Sequence, residues 1–477
     1  LRLKKEFGYR FIRFHASFHD DVAVVQELPG GEIVYRWTQL DHIYDFLVES
    51  GFDPIVEINP MPKALASGDS TFFWYKKNIT PPRSYPEWER FMQAYIEHTV
   101  ERYGIARVRD WRFEVWNEPN LRNSFWTGTQ DEYFELYASC AQILKGFDSQ
   151  LKVGGPAGAG MQWNGDFLRF CQSERVPVDF VSYHVYPVDE ADKPEPTGLH
   201  MVADLKKAKL EIEDSGYEDL EILITEWNTQ TQDGNKNVKW VGNESINRLI
   251  AGAMVCHFLH ETDDCSDAMG WWVASDVFEE GGPQVEVYGS RHQHYGMLTI
   301  DGLPKSSYHA FSFLNRMRGD RYELTLPEGA VPTQNGIITQ EGSATRALFW
   351  NTWFPFQEEA GAWELSFDLP VPAIRKDADD IRLTIAHVKK GQGSAFEAWQ
   401  AMGAPANLTV IEQRALEAAS HPQYTSKMVP IQDGCISVTL TLDVNEFAFL
   451  ELGGDAAGSL AELSNELHNI NDSLQLE

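Results

Sequence analysis

The sequence predicts an α/β protein whose main part is one parallel sheet wrapped by helices, with a smaller all-β domain after it. Two observations carry this. Short apolar runs, "RFIRF", "DPIVEI", "FEVWNE", "LKVGGPA", "DFVSYHVY", "EILITEWN" and "DAMGWWVAS", recur with room for a helix between each pair. After "KSSYHAFSFLNRMRG" the texture changes to short alternating strands. Continuous apolar runs belong to strands covered on both faces, as in a parallel sheet. Such β/α units, repeated over roughly 300 residues, fit a (β/α)8 barrel or a doubly wound sheet.

The intervening segments support this in order. "LDHIYDFLVESG" has helical periodicity and closes on Gly51, and "YPEWERFMQAYIEHTVERYG" ends on Gly104, each a helix-stop signal. Seven apolar runs are present, and "LRLKKEFGY" at the start reads as the end of a helix. An eighth strand, the first of a barrel, is therefore expected upstream of residue 1. Residues 321–453 carry "TRALFWNTW", "IRLTIAHV", "CISVTLTL" and "EFAFLEL", the pattern of a β-sandwich, with one helical interruption at "SAFEAWQAM". In the tail, 454–477, Leu460, Leu463, Leu467, Ile470 and Leu474 form a short amphipathic stripe, suited to docking on its own domain or to a contact between subunits. The expected division is thus 1–320, 321–453 and 454–477.

Composition excludes several classes. Lys plus Arg number 40 against 71 Asp plus Glu, a net charge of −31 that repels nucleic acid and anionic membranes. No apolar run has the length of a membrane span. The five cysteines, Cys140, Cys171, Cys256, Cys265 and Cys435, are scattered and odd in number, which favours free thiols over a disulfide framework. The compartment stays open between cytoplasm and periplasm. No signal-peptide pattern is expected in the opening residues "LRLKKEFGY".

In a parallel barrel the chemistry sits at the carboxyl ends of the strands. Glu118 ends one expected strand, in "FEVWNEP", and Glu226 ends another, in "EILITEWN". An ionised carboxylate among Trp and Ile side chains is costly unless it is paired or used. Two of them facing one cavity are the equipment of a glycosidase, one acid protonating the leaving oxygen and the other attacking the anomeric carbon. An apolar wall such as Trp116 and the neighbouring carboxylate would help the acid keep its proton. Asn117 is placed to donate to a sugar 2-OH. Pro119 is expected to end the strand and to restrain Glu118 before it.

These residues carry a resemblance. "FEVWNEPN" followed by "ITEWN" resembles the retaining glycosidases of glycoside hydrolase family 39, and "RFHASFHDDV", "MPKALASGDSTFFWYKKNITPP", "VPVDFVSYHVY" and "WWVASDVFEE" extend it over roughly residues 1–450, "ALASGD" and "SDVFEE" pointing to the family's β-xylosidases. The resemblance implies a (β/α)8 barrel with an accessory β-sandwich, and removal of xylose from the non-reducing ends of short xylo-oligosaccharides with retention. It makes Glu118 the acid/base, Glu226 the nucleophile and Asn117 the 2-OH ligand. His15, His184 and Tyr186 would line the sugar pocket, Trp272 would floor it, Glu279 and Glu280 would bind hydroxyls, and Phe125 would stand at its mouth. It implies no metal and no cofactor. Two departures fall where subsite shape is set: Trp227 and Thr231 replace tyrosines, and one extra residue lies between Asn120 and Phe125. Another sugar of the same family, such as an arabinoside, glucoside or uronide, is the nearest alternative. A uronide is disfavoured because no Lys or Arg stands out in the pocket motifs, and a silent sugar-binding protein is disfavoured by the two carboxylates. "KVGGPAGAG" lacks the Lys-Ser/Thr of a phosphate loop, His292 and His294 make a weak metal signal, and Asp20 and Asp21 suit a rim or capping role.

Overall fold

The computed structural model describes residues 2–186, 199–217, 219–229, 247–277, 288, 294–326, 330–331, 333–353, 361–375 and 377–453. The chain divides into two compact units, one of residues 1–246 and 258–301, the other of residues 247–257 and 302–477. The C-terminal stripe at 454–477 lies outside the described residues. Among those described, no helix is long and apolar enough to cross a membrane.

The first unit is built on a seven-stranded parallel sheet in simple sequence order. Its strands are β1 (Phe11–Phe14), β2 (Asp53–Ile58), β3 (Arg112–Val115), β4 (Lys152–Ala159), β5 (Phe180–Val185), β6 (Glu221–Trp227) and β7 (Ala268–Trp271). They coincide with the seven apolar runs. Side chains that meet across the interior show how far the sheet curls. At the amino end Arg112 of β3 clasps Glu221 of β6 through Nε (2.6 Å) and Nη2 (2.9 Å). Higher up, Arg13 of β1 reaches Glu226 of β6 at 2.7 Å. The sheet is nearly closed, a barrel.

The outer helices follow their sequence signals. Thr38–Glu49 buries Leu40, Tyr44 and Leu47, one helical stripe. Tyr85–Tyr103 starts after Ser84, carries Pro86 in its first turn, and ends where Gly104 adopts φ 80°, a conformation cheap only for glycine. Gln130–Phe147 opens with a reciprocal cap between Thr129 and Glu132.

The second unit is a sandwich. One sheet runs Asp320–Arg321, Gln334–Glu341, Ala344–Asn351, Phe447–Gly453, Asp380–Val388, Gln423–Pro430. Facing it are Trp363–Pro370 and Cys435–Leu442, paired antiparallel. Leu365, Leu369, Val438 and Leu440 of the small sheet pack with Ala347, Phe349, Leu383, Leu450 and Leu452 of the large one. Where the sequence shows one helical interruption there are two helices, Ala395–Ala401 and Val410–Ala419. The second was missed because only Leu416 and Ala419 of its ten residues are buried, too few to show a period. All five cysteines are free.

"KVGGPAGAG" forms a strand over Lys152–Ala159, as expected of a sequence without a phosphate-loop lysine, and its first two glycines, Gly154 and Gly155, are steric. A Cβ on Gly154 would stand 2.2 Å from the Phe180 carbonyl oxygen of β5 and 2.4 Å from its ring. Gly154→Ala is expected to lower stability by about 1–3 kcal/mol through overpacking, read as a drop in the urea midpoint; an unchanged midpoint would show that β4 and β5 tolerate separation.

Candidate active site

At the carboxyl end of the barrel a single guanidinium organises the charged groups. Arg13, its side chain 6% exposed, pairs through Nε with Glu114 of β3, through Nη1 with Glu226 (2.7 Å) and through Nη2 with Asn117 Oδ1 (2.9 Å). Glu57 of β2 lies 3.5 Å from Nη2. Glu114 also accepts from Thr225 Oγ1 at 2.7 Å. Burial alone would lower the Arg13 pKa, but Glu114, Glu57 and Glu226 more than offset it and hold the guanidinium charged. Because a guanidinium only donates, its bond fixes the Asn117 amide with Oδ1 inward and leaves Nδ2 as the donor.

Local irregularities aim the two predicted acids. Successive strand residues point to opposite faces, so Thr225 and Glu226 should not share one. They do because the β5–β6 register shifts between Ile224 and Glu226, a bulge that re-aims a side chain. On β3 the chain leaves the extended form after Val115: Trp116 has φ 73° and Glu118 φ 50°. Pro119 does follow the end of the ladder, but Glu118 adopts left-handed backbone where extended backbone was expected. The neighbours stabilise this turn. The Glu118 N–H donates to Ala157 at 2.8 Å, Trp116 Nε1 to Phe125 at 2.9 Å, and Asn120 exchanges bonds of 2.8 Å with both backbone groups of Ala159. Trp116 packs edge-to-face on Trp126 at 4.7 Å and so helps to brace the loop.

His184 bridges the acids. Its Nδ1 is 2.9 Å from Glu118 Oε1 and 3.4 Å from Glu226 Oε2, and Tyr186 Oη donates to Glu226 Oε2 at 3.1 Å. One ligating atom from each of Glu118, His184 and Glu226 lies within 4.8 Å of the others. That trio is close enough to bind a cation, which would have to compete with Arg13 for Glu226. Burial would lower the His184 pKa, but Glu226 and Glu118 outweigh it and hold the imidazole above its ordinary value.

The other predicted residues gather beside these. His15 places Nδ1 3.0 Å from Glu57 and Nε2 3.1 Å from Tyr75 Oη, and packs edge-to-face on Trp272 at 5.4 Å. Burial lowers the His15 pKa; Glu57, which burial would raise, is held down at about 2 by His15, Arg13 and Lys77. Phe125 meets Phe72 (5.4 Å) and Phe73 (5.3 Å), with Lys77 Nζ 4.9 Å from its ring centre. Glu279 and Glu280 lie outside the described residues. Asn228 of "ITEWN" ties strand ends together, donating to the carbonyls of Trp272 and Tyr295. The weak metal signal at His294 has an acidic partner, Asp276 at 3.3 Å, while His292 is outside the described residues. Asp20 accepts from the Lys63 N–H at 3.1 Å, a capping role.

Sequence reasoning missed Arg13, Glu57, Glu114 and Lys77. The expectation of no cation near the pocket is corrected: Arg13 and the fully buried Lys77 both stand there. The signal was present, since "RFIRF", "DPIVEI" and "FEVW" each place a charge inside an otherwise apolar strand.

The family model "Glycosyl hydrolases family 39" matches residues 1–435. The chain belongs to glycoside hydrolase family 39. Within the family it is 33% identical over 472 residues to a β-xylosidase of Geobacillus stearothermophilus, covering 94% of this chain and 87% of that one. It is 37% identical over 345 residues to a β-xylosidase of Caldicellulosiruptor saccharolyticus, covering 71% and 68%. A crystal structure of a monomeric β-xylosidase from Caulobacter crescentus CB15 superposes with a TM-score of 0.83 at 29% identity, covering 95% of this chain and 92% of that one. This family 39 glycoside hydrolase should show a pH signature from His184. Its folded pKa is raised, so the stability it contributes is fully present below the ordinary histidine value of about 6.5 and is lost as pH rises through the folded value. His184→Gln is expected to lower the melting temperature most at acidic pH and progressively less under alkaline conditions; a difference that grew with pH would contradict the bridge.

Proposed function

We propose that the protein is a retaining exo-β-xylosidase acting on short xylo-oligosaccharides. The observation that carries the retaining mechanism is the approach of Glu118 and Glu226 oxygens to within 4.8 Å. Retaining glycosidases hold their carboxyl groups about 5–5.5 Å apart, whereas inverting ones leave about 6.5–9.5 Å for a water. The sugar is supported by the two bacterial relatives named as β-xylosidases.

In the first step a Glu226 oxygen attacks the anomeric carbon while the glycosidic C–O bond breaks and its oxygen takes the proton of Glu118. In the second, Glu118 takes a proton from water, the water oxygen bonds to the anomeric carbon, and the ester to Glu226 breaks. Arg13 and Tyr186 hold the nucleophile in one orientation. His184 stands between the two acids, its Nδ1 2.9 Å from Glu118 and 3.4 Å from Glu226. Asn117 offers Nδ2 to the 2-OH, where bonds strengthen toward the transition state. Trp272 gives the ring an apolar face.

A panel of aryl glycosides tests the sugar, with the β-xyloside expected to turn over fastest; a faster arabinoside, glucoside or uronide would replace the assignment. Glu226→Gln is expected to lose at least about 10⁴-fold in kcat. Glu118→Ala should lose about 10²–10⁴-fold on xylobiose, and far less on an aryl xyloside whose leaving group needs no proton. Equal losses on both substrates would remove Glu118 from the acid role.

A further inference from the structure

We propose that Glu118, His184 and Glu226 together form a binding site for a small transition-metal dication such as Zn²⁺, and that the bound ion blocks the enzyme. The binding stands on geometry; the block rests on the reading of Glu118 and Glu226 as the reacting acids. His184 Nδ1 lies 2.9 Å from Glu118 Oε1 and 3.4 Å from Glu226 Oε2, and one ligating atom from each of the three residues lies within 4.8 Å of the other two. Tetrahedral Zn²⁺ holds nitrogen and oxygen ligands at about 2.0–2.2 Å, which sets neighbouring ligands about 3.3–3.6 Å apart. Both histidine separations fall within about half an ångström of that spacing. Among the described residues, this is the one group of three such side chains at ligand spacing.

The electron pairs an ion needs are available. Arg13 Nη1 takes Glu226 through Oε1 at 2.7 Å, so Oε2 is the oxygen turned toward His184. Tyr186 Oη donates to that Oε2 at 3.1 Å, and a carboxylate oxygen with two lone pairs can serve the phenol and an ion together. His184 Nδ1 contributes its lone pair once its proton has left to solvent. The His184 side chain is fully buried, while those of Glu118 and Glu226 keep 11% and 8% exposure, so an ion would arrive from the pocket. Two carboxylates match the charge of one dication, and water can complete the tetrahedron. The donor set also selects the metal. One imidazole and two carboxylates suit Zn²⁺ or Co²⁺, whereas Ca²⁺ and Mg²⁺ ask for about six or more oxygens. In this place the ion is an inhibitor and not a cofactor: it occupies the Glu226 electron pair that would attack, displaces the proton from Glu118, and stands where the anomeric carbon must come.

Co²⁺ is the probe, because a four-coordinate Co²⁺ ion absorbs strongly in the visible and the hydrated ion is pale. Titration of the unmodified protein, free of any affinity tag, is expected to raise these bands to a plateau at one equivalent, and Zn²⁺ should abolish them. Loss of a ligand's outer partner costs about 10–100-fold in metal affinity, so loss of the ligand itself, in His184→Gln or Glu118→Gln, should cost at least about 100-fold. Each variant is read below its own melting transition, so that unfolding is not mistaken for a lost ligand. The pale spectrum of a six-coordinate ion, no bands at all, or bands that survive both substitutions overturn the site. Zn²⁺ should also raise the KM for whichever aryl glycoside the protein turns over, with little change in kcat, and EDTA should reverse the effect. Bands without inhibition keep the site and count against Glu118 and Glu226 as the reacting pair.

Discussion

The guanidinium of Arg13 binds four side chains from three other strands or their ends, and the rest of the site is arranged around that fact. Taking a guanidinium out of water is expensive, and removing its partners would leave an uncompensated charge costing about 3–5 kcal/mol. Glu57, Glu114 and Glu226 compensate it. Three carboxylates exceed one cation. The remaining balance comes from Lys77, which lowers the Glu57 carboxyl, and from His184, whose proton is held by Glu226 and Glu118. The titration of Glu57 and of His184 is thus set by their charged neighbours.

A regular barrel could not present these groups. Alternation along β6 would turn Glu226 away from Arg13 if Thr225 faced it, and the bulge after Ile224 resolves the conflict. Glu118 pays a comparable local cost, sitting at φ 50° in a region unfavourable to side chains with a Cβ. Bonds from Trp116, Asn120 and its own N–H to the surrounding backbone hold it there. The motif "WNEPN" is therefore as much a description of a braced turn as of an acid: Asn117 meets Arg13, Glu118 meets His184, and Asn120 meets Ala159.

All seven barrel strands were legible in the sequence because strands buried on both faces leave continuous apolar runs. So were the two acids, since a carboxylate at the end of such a run is conspicuous. Arg13 and Glu114 showed only as charges inside such runs, and their pairing was not legible because the partners are contributed by strands far along the chain: Arg13 and Glu226 are separated by 213 positions. The helix Val410–Ala419 escaped notice for the opposite reason, being too exposed to carry a period. Asn228 stands two residues after Glu226 in "ITEWN", yet its amide holds β7 to β6. A residue in a functional motif is not thereby a functional group.

The most direct test of the central claim is to trap the covalent intermediate. Incubation with an activated 2-deoxy-2-fluoro-β-xyloside, followed by proteolysis and peptide sequencing by mass spectrometry, should find one fluoroxylosyl group esterified to Glu226. The label should be absent from Glu118 and should disappear in Arg13→Met protein, where the nucleophile loses its guanidinium. Attachment to any other carboxylate, or turnover of an unfluorinated xyloside with inversion and no trapped ester, would contradict the account.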